Sequence, residues 1–360
     1  MKVSFYSNRI KFSGDTLEKV GLGGSESALI NISTCWKKQF PVDEITVYNG
    51  NDKREKQDYN GVIYKTMTDF YSDIRSMNIE AFISLREMFP FKLPYIDSKL
   101  KILWSQDDMN EGDLQKLQIN KYARGNIDFF FAISDYAKRE IQKGFPKKEV
   151  LLQRNGYRED WIDNSENLKD MRYPVAVYTS TPFRGLDVLA QCWKEIYDKC
   201  VIKGFTPTLK VCTGMSLYQQ SEDSFKNLYD HLRSLPMVEF IGAIPQRKLY
   251  EELKECKVML YPNHFLETGA MSVLEALANN LWIVTTDLGA LGEQVRDGVN
   301  GFLIGGDAHS EEYKRQFIQL SVDSLCESLV PINPNSSGLI FSWEEQAVKM
   351  RKAIEERIHL

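Results

Sequence analysis

The sequence predicts an α/β protein of two domains, each built on a parallel sheet with helices on both faces. Short β-branched or aromatic runs alternate with helical patterns along the chain, as they do in such sheets. At 360 residues the chain is also too long for one ordinary α/β core. A polar stretch without apolar periodicity, at 159–172, marks the join. We therefore predict domains at residues 1–165 and 170–338.

The elements follow in order along the chain. In the first half the strand candidates are residues 2–7, 44–48, 61–64, 81–85, 101–104 and 129–133, with helical patterns at 25–38, 112–119 and 136–143. In the second half they are residues 174–178, 209–212, 238–241, 258–261, 282–285 and 301–304, with helices between them. Beyond a loop-like stretch at 331–338, Ser342 can cap a last helix at 343–358. We predict that residues 342–360 pack back on the first domain.

Composition and charge exclude several classes of protein. The 43% apolar and 26% charged fractions are those of a soluble globular chain. The net charge of −5 argues against a nucleic-acid-binding protein, which normally carries a basic excess. No apolar run approaches the length of a transmembrane helix. The six cysteines form no Cys-x-x-Cys pair, so we expect reduced, buried thiols in a cytoplasmic protein.

A glycine cluster follows the first predicted strand and opens a helix. It reads Gly21-Leu22-Gly23-Gly24-Ser25-Glu26. Glycines allow the backbone to approach a ligand closely, and the free N–H groups of a helix N-terminus favour a diphosphate. A turn followed by a helix cap is the alternative interpretation.

Two glutamates flank the start of a helix in the second half. Glu267 precedes the predicted helix start at Gly269–Ala270, and Glu275 lies about one and a half turns inside it. Phosphates could bind at the first turn, and a carboxylate can accept both hydroxyls of a ribose. An exposed loop glutamate and a helix-surface glutamate are the alternative interpretation, because such a spacing also arises by chance.

The order of motifs in the second half resembles retaining glycosyltransferases of family 4, glycosyl transferases group 1. After a strand come Pro262, Glu267-x7-Glu275 and a helix, then the run Asp287-Leu288-Gly289-Ala290 and the run 297–303. The stretches 178–189 and 240–245 also fit the family's pattern, and the resemblance extends over nearly the whole chain. It implies a GT-B fold, in which two Rossmann-like domains face each other across a cleft.

The resemblance also implies roles for individual residues. Glu267 faces the transferred sugar, Glu275 the ribose and Arg184 the diphosphate. Asp107 is a second catalytic candidate besides Glu267. Gln106 and Asp107 lie where the family usually has a histidine, and either could position the sugar. The implied donor-binding residues are Gly23, Gly24, Arg184, Gly214, Ile244, Thr268, Gly269, Ala270, Met271 and Glu275.

The chain departs from the family's pattern at three places: the first-domain histidine, the second basic residue of the phosphate clamp, where Ser180 and Thr181 stand, and the glycine-rich loop after the first glutamate, which is replaced by Thr268-Gly269-Ala270. The family's first-domain histidine is missing, because no histidine precedes His231, and the four histidines are dispersed along the sequence. No Asp-x-Asp occurs, so we predict neither a metal nor a cofactor beyond the nucleotide-sugar donor. Arg184 and helix N-termini would then stabilise the leaving nucleoside diphosphate.

The predicted function is retaining transfer of a sugar from a UDP-sugar to a glycan, lipid-linked or small-molecule hydroxyl. The first domain would bind this acceptor and the second the donor. Two alternatives stay open: a non-catalytic homologue that binds a nucleotide sugar or supports a partner glycosyltransferase, and a GT-B sugar-nucleotide epimerase. Residues 88–95 mix aromatics, Lys and Pro and could meet an acceptor or a membrane surface peripherally, although a packed surface loop is the favoured interpretation.

Overall fold

The chain divides into two compact units in a computed structural model. The structure describes residues 1–50, 57–162, 173–327, 329 and 340–358. The first unit comprises Met1–Leu17, Gly23–Gly156 and Phe341–Leu360, and the second comprises Glu18–Leu22 and Tyr157–Ile340. The predicted boundary at 165–170 and the predicted loop at 331–338 lie outside the described residues.

The first unit contains an eight-stranded sheet. Its strands are β1 (Lys2–Ser7), β2 (Glu44–Asn49), β3 (Gln57–Tyr59), β4 (Val62–Lys65), β5 (Ile79–Leu85), β6 (Ser98–Ser105), β7 (Phe129–Ala132) and β8 (Glu149–Leu152). They lie in the order β3-β4-β2-β1-β5-β6-β7-β8, with β3 antiparallel to β4 and all other neighbours parallel. The helices in this part of the chain are α1 (Thr16–Lys19), α2 (Gly24–Gln39), α3 (Met67–Asp73), α4 (Gly112–Ile119), α5 (Lys121–Gly125) and α6 (Asp135–Gly144).

The second unit contains a six-stranded, wholly parallel sheet. Its strands are β9 (Val175–Tyr178), β10 (Thr208–Val211), β11 (Val238–Phe240), β12 (Val258–Tyr261), β13 (Trp282–Thr286) and β14 (Gly301–Ile304), in the order β11-β10-β9-β12-β13-β14. Its helices are α7 (Leu186–Ile202), α8 (Lys226–Ser234), α9 (Gln246–Glu255), α10 (Met271–Ala278), α11 (Leu291–Gln294) and α12 (Glu311–Cys326). This strand order is that of a dinucleotide-binding domain, with a topological switch between β9 and β12.

Burial explains why the central strands read as continuous apolar runs. Every residue of β7 is buried, and so is every residue of β13. Helices that cover both faces of a parallel sheet remove the alternation that a half-exposed strand would show. The predicted strand series of both halves is confirmed, with β3 and β8 as additions that the sequence pattern missed.

The last helix, α13 (Trp343–Ile358), belongs to the first unit. Its N-terminus carries the predicted cap: Glu345 N donates to Ser342 Oγ at 3.2 Å, and Ser342 N donates to Glu345 Oε2 at 2.8 Å. A Cβ on Gly156 would lie 2.7 Å from Trp343 N, so only glycine allows this approach. Gln153 Nε2 donates to Gln346 O at 3.0 Å, which ties the helix to the strand edge.

Asp43 links three distant segments of the first unit. It is fully buried and accepts from the N-terminal ammonium at 2.7 Å, from Trp36 Nε1 at 2.9 Å and from Arg351 Nε on α13 at 2.9 Å. Burial by itself raises the pKa of the Asp43 carboxyl, but these three donors outweigh it and lower the pKa below its ordinary value.

The exposed fractions of side chains test the predictions about the segment 88–95 and about the cysteines. Met88, Pro90 and Phe91 are buried, whereas Phe89, Lys92, Pro94 and Tyr95 are exposed, so the segment 88–95 is packed at its start and exposed towards its end. None of the helices in the described residues combines the length and apolar character that crossing a bilayer requires. The six cysteines are free thiols; five are buried and Cys326 is half-buried, as predicted.

Candidate active site

The candidate site lies at the carboxyl ends of β9 and β12, in the second unit. These neighbouring strands form the topological switch, where open α/β sheets bind their ligands. The loop after β9 carries Arg184, and the loop after β12 carries Glu267. Gly185, between the first loop and α7, has φ +95°, and a Cβ there would lie 2.0 Å from Pro262 O. The two loops therefore approach each other closely because residue 185 is glycine.

Glu267 is a buried carboxylate held from two sides. It is 2% exposed, and its Oε1 accepts from Arg184 Nη1 and from Tyr261 OH, each at 2.6 Å. Its carbonyl accepts from Ala290 N at 2.8 Å. Gly289 has φ +64°, and a Cβ on it would lie 2.2 Å from Glu267 O. The Gly289-Ala290 turn thus fixes the backbone from which the Glu267 side chain points.

Arg184 is held by aromatic rings as well as by Glu267. Its Cζ lies 4.5 Å from the ring centroid of Phe265 and 5.5 Å from that of Phe183. Burial acts to lower the pKa of Arg184, but the neighbouring Glu267 carboxylate outweighs it, so the net pKa is raised and the guanidinium stays charged. Its Nε is buried and has no hydrogen-bond partner among the described residues. One donor of this cation therefore remains available to a ligand.

Two threonines in the same loop as Arg184 also have a buried polar atom without a hydrogen-bond partner among the described residues. Thr179 Oγ1 and Thr181 Oγ1 are buried and lack a partner within the described part of the chain. Buried polar atoms are normally hydrogen-bonded, and each exception costs about 1–3 kcal/mol. The loop after β9 therefore presents three buried polar atoms without partners, which is typical of a site whose ligand supplies the missing bonds.

Glu275 lies one turn inside α10 and is 5% exposed. Gln246 Nε2, at the start of α9, donates to Glu275 Oε1. Burial raises the pKa of Glu275 to about 7, and the bond from Gln246 opposes this shift only in part. A ligand that donates hydrogen bonds to Glu275 would stabilise the charged form of this buried carboxyl group and so lower its raised pKa.

The start of α10 differs slightly from the prediction. The helix begins at Met271 rather than at Gly269–Ala270, because Ala270 is extended and is held by the Gln294 side chain. Gln294 Oε1 accepts from Ala270 N, and Gln294 Nε2 donates to Ala270 O, each at 3.0 Å. No side chain of the described residues caps the helix, so the N–H groups of its first turn, from Met271, face outward from the helix end. Thr268 is buried and Gly269 half-buried just before it.

Gly214 and Ile244, predicted to bind the donor, lie in loops after β10 and β11. A Cβ on Gly214 would lie 2.9 Å from Glu222 Oε1. The Glu222 carboxylate accepts from the backbone N–H groups of Met215 and Ser216, each at 2.8 Å. A carboxylate of the chain itself therefore occupies this pair of N–H groups. A Cβ on Gly21 would lie 3.0 Å from Ile244 O, so the first glycine of the cluster packs against this loop.

In the first unit, Gly23 is the N-cap residue of α2 and Gly24 is the first residue of the helix. No side-chain cap is present among the described residues.

Asp107, the second catalytic candidate, follows β6. Arg86 Nε donates to both of its carboxylate oxygens, at 2.8 and 3.0 Å. Asp107 is therefore an ion-paired carboxylate. Glu26, in the first turn of α2, is fully buried and neither of its oxygens has a partner among the described residues; burial raises its pKa.

Two features of the second unit go beyond what the sequence predicts. The sequence predicts Tyr261 only as a strand residue, whereas in the structure its hydroxyl binds Glu267. The histidines are dispersed along the sequence, whereas in the structure His264 and His309 lie together, with ring centroids 4.7 Å apart. The spacing in sequence could not show the second feature, whereas a tyrosine at the end of a strand that precedes Glu267 was a usable signal for the first.

Known proteins resemble this chain in sequence and in fold. Residues 160–334 match the model of the family described as glycosyl transferases group 1. A curated protein of Methanocaldococcus jannaschii, named as an uncharacterized glycosyltransferase, is 24% identical over 241 residues, which are 66% of this chain. The match spans 62% of that relative's length.

Solved glycosyltransferase structures share the fold over the full chain. Sucrose-phosphate synthase from Thermosynechococcus elongatus has a TM-score of 0.70 at 13% identity and covers 99% of this chain and 98% of its own. The pneumococcal O-GlcNAc transferase GtfA, in complex with UDP and GlcNAc, has a TM-score of 0.71 at 12% identity, with 100% and 99% covered. HepE of Anabaena, in complex with UDP and glucose, has a TM-score of 0.67 at 15% identity, with 99% and 100% covered.

The two parallel-sheet α/β domains and these neighbours define a GT-B fold. Residues 160–334 of the chain are similar to the glycosyl transferases group 1 family.

Proposed function

We propose that the chain is a retaining glycosyltransferase that moves a hexosyl group from a UDP-sugar to a hydroxyl of a glycan, lipid-linked or small-molecule acceptor. The observation that carries the proposal is that the loop after β9, whose Arg184 binds Glu267, has three buried polar atoms without a partner among the described residues: Thr179 Oγ1, Thr181 Oγ1 and Arg184 Nε. One permanent cation and two hydroxyls suit an anion with several oxygens, and a nucleotide diphosphate is such an anion.

The sugar would lie against Glu267. Both bonds from the protein side chains reach Oε1 of this carboxylate, and neither reaches Oε2. A carboxylate with one oxygen anchored and the other free can face a sugar ring in one orientation. As the bond to the leaving group breaks, positive charge develops on the sugar, and a fixed carboxylate nearby stabilises it. Arg184 stabilises the negative charge on the departing diphosphate at the same time.

The ribose would lie against Glu275. Binding requires the Gln246 amide to share or release the carboxylate that it now contacts. Two ribose hydroxyls would then donate to Glu275, and the N–H groups at the start of α10, including that of Met271, would contact the phosphates. Ile244 and Gly214 would line the base side. UDP is the favoured nucleotide because HepE and GtfA were both solved with UDP.

The proposed chemistry needs no histidine base in the first unit. In a retaining transfer the acceptor hydroxyl attacks from the face of the leaving group, and an oxygen of the donor phosphate takes its proton. The first unit would bind the acceptor, with Asp107 and its partner Arg86 positioning hydroxyl groups. No metal or cofactor is part of this mechanism. A cytoplasmic reaction in polysaccharide biosynthesis, with peripheral membrane contact through Phe89 and Tyr95 for a lipid-linked acceptor, belongs to the same proposal.

Thermal-shift titration with UDP, GDP and ADP, followed by a UDP-sugar hydrolysis and transfer assay, tests the proposal. We expect stabilisation by UDP and slow hydrolysis that releases a sugar with the donor's anomeric configuration. Absence of stabilisation by every nucleotide would contradict the donor site. Binding without turnover over a broad acceptor panel would support the non-catalytic alternative, and release of an epimerised sugar would support the epimerase.

A further inference from the structure

We propose that Asp187, His264 and His309 form a binding site for a divalent transition-metal ion, with Zn²⁺ as the natural occupant. The three residues come from separate segments of the second unit: the first turn of α7, the loop after β12 and the loop after β14. Two of the chain's four histidines thus converge on one carboxylate.

Two pairs of donor atoms lie close to the spacing that a zinc ion requires. His264 Nε2 lies 3.3 Å from Asp187 Oδ1, and His309 Nδ1 lies 3.7 Å from Asp187 Oδ2. All three ligand atoms lie within 4.8 Å of one another. Ligands about 2.1 Å from a tetrahedral zinc ion are separated by about 3.4 Å. The separations of 3.3 and 3.7 Å are close to this value, and binding would require the two rings to rotate until the third pair reaches it.

The backbone of each ligand is fixed by contacts that do not involve the cluster. The buried Asn263 accepts from Phe265 N at 3.0 Å, which holds the turn that contains His264. Asp307 accepts from His309 N at 3.0 Å, in the turn that leads into α12. Asp187 is placed by α7, whose first residue follows Gly185 at its contact with Pro262. A site built on such fixed segments loses little conformational entropy on binding an ion.

The ligand chemistry selects the class of metal. Imidazole nitrogens favour Zn²⁺, Cu²⁺, Ni²⁺ or Fe²⁺, whereas Mg²⁺ and Ca²⁺ prefer oxygen ligands. The side chains of Asp187, His264 and His309 are 37%, 32% and 48% exposed, so an ion can enter and keep a water molecule at a further position. Because His264 is three residues before Glu267, a bound ion would also fix the loop that carries this carboxylate. Our prediction of no metal rested on the missing Asp-x-Asp, a pattern that does not detect histidine sites.

Metal titration of the untagged, nucleotide-free protein tests the site. After removal of metal with EDTA, Zn²⁺ affinity is measured by competition with a chromophoric chelator, and Co²⁺ binding by its visible d–d absorption. We expect one ion per chain. His264→Asn and His309→Asn should each weaken Zn²⁺ binding by about tenfold or more. Zn²⁺ should also raise the melting temperature of the wild type but not of the His264→Asn/His309→Asn variant.

The other two histidines provide the matched control. His231→Asn/His359→Asn removes the same number of imidazoles and should leave Zn²⁺ affinity and the Co²⁺ spectrum unchanged. If either cluster variant misfolds by circular dichroism, Asp187→Asn replaces it, with the same expected loss. Equal Zn²⁺ affinity in the wild type and the cluster double variant would overturn the proposal, as would loss of binding in the control. No metal-dependent rise in melting temperature would overturn it too.

Discussion

Arg184 Nη1 donates to Glu267 Oε1 at 2.6 Å, across 83 residues of sequence. The sequence predicts separate partners for these two side chains, the diphosphate for Arg184 and the sugar for Glu267. The structure shows that they are also partners of each other. The pair orients both groups in advance, and the two remaining positions, Arg184 Nε and Glu267 Oε2, define where a donor would be recognised.

Glu267→Gln should lower turnover while nucleotide affinity changes little. The amide keeps the shape of the side chain but loses the charge that stabilises the sugar in the transition state. We expect kcat for UDP-sugar hydrolysis or transfer to fall by about 100-fold or more. Glu312→Gln, an exposed glutamate of α12, is the control and should retain activity. Unchanged turnover in Glu267→Gln would contradict the role of Glu267.

Glu275→Gln should stabilise the ligand-free protein at alkaline pH. Burial raises the pKa of Glu275 from 4.5 to about 7, so the folded state holds a proton that the unfolded state has released. The wild type therefore loses stability as the pH rises from the unfolded pKa through the folded one. The glutamine cannot ionise, so the variant should gain about 3 kcal/mol relative to the wild type above pH 7 and little near pH 4.

Urea unfolding at several pH values measures this difference. The same carboxyl should make UDP affinity rise with pH through about 7 in the wild type, because only the charged form accepts from both ribose hydroxyls. The glutamine variant should bind UDP more weakly and with a flatter pH profile. A stability difference that does not change with pH would contradict the burial of an ionisable Glu275.

Gly185→Ala should destabilise the second unit much more than Gly204→Ala. Both glycines flank α7 and have positive φ, +95° and +87°, so alanine costs about 1 kcal/mol of backbone strain at each. At Gly185 the new Cβ also meets Pro262 O at 2.0 Å, whereas at Gly204 no atom lies within 4 Å. We expect a total loss of about 3 kcal/mol at Gly185. Equal melting temperatures for the two variants would contradict the close contact between Gly185 and Pro262.

Asp43→Asn should loosen the attachment of α13 to the first unit. The substitution removes the charge that the N-terminal ammonium, Trp36 and Arg351 share. We expect a loss of about 2 kcal/mol at neutral pH. Because the folded pKa of Asp43 is lowered, this contribution is present above the unfolded pKa and disappears as the pH falls through the folded one. The neighbouring exposed carboxylate offers a control, Glu44→Gln, which should change stability little.

The sequence predicted elements well where local signals determine them. The last helix was predicted at 343–358, as observed, because Ser342 and the acidic first turn mark its start. Strand β3 has three residues without an apolar run, and β8 is a four-residue strand at the sheet edge, so neither produces a strong pattern. Glu267 and Glu275 could be found from their position around a strand end and a helix start.

Long-range relationships could not be predicted in the same way. The pairing of Arg184 with Glu267 depends on which strands are neighbours at the switch between β9 and β12. The meeting of His264 with His309 depends on the register of β12, β13 and β14, and no local pattern encodes it. The spacing of two residues in the sequence predicts their contact only when both lie on one helix or strand or on the turn that adjoins it.

Calorimetric titration of UDP into the wild type and into Arg184→Met tests the donor site most directly. The variant keeps an unbranched side chain beside Phe265 but removes the guanidinium. Arg233→Met is the control, because Arg233 also lies over a ring, with its Cζ 4.3 Å from the Phe240 centroid, and is outside the site. We predict that UDP binds the wild type and the control equally and binds Arg184→Met about 10- to 100-fold more weakly. Equal affinity in all three proteins, or no UDP binding by the wild type, would contradict the assignment of this site to a nucleotide diphosphate.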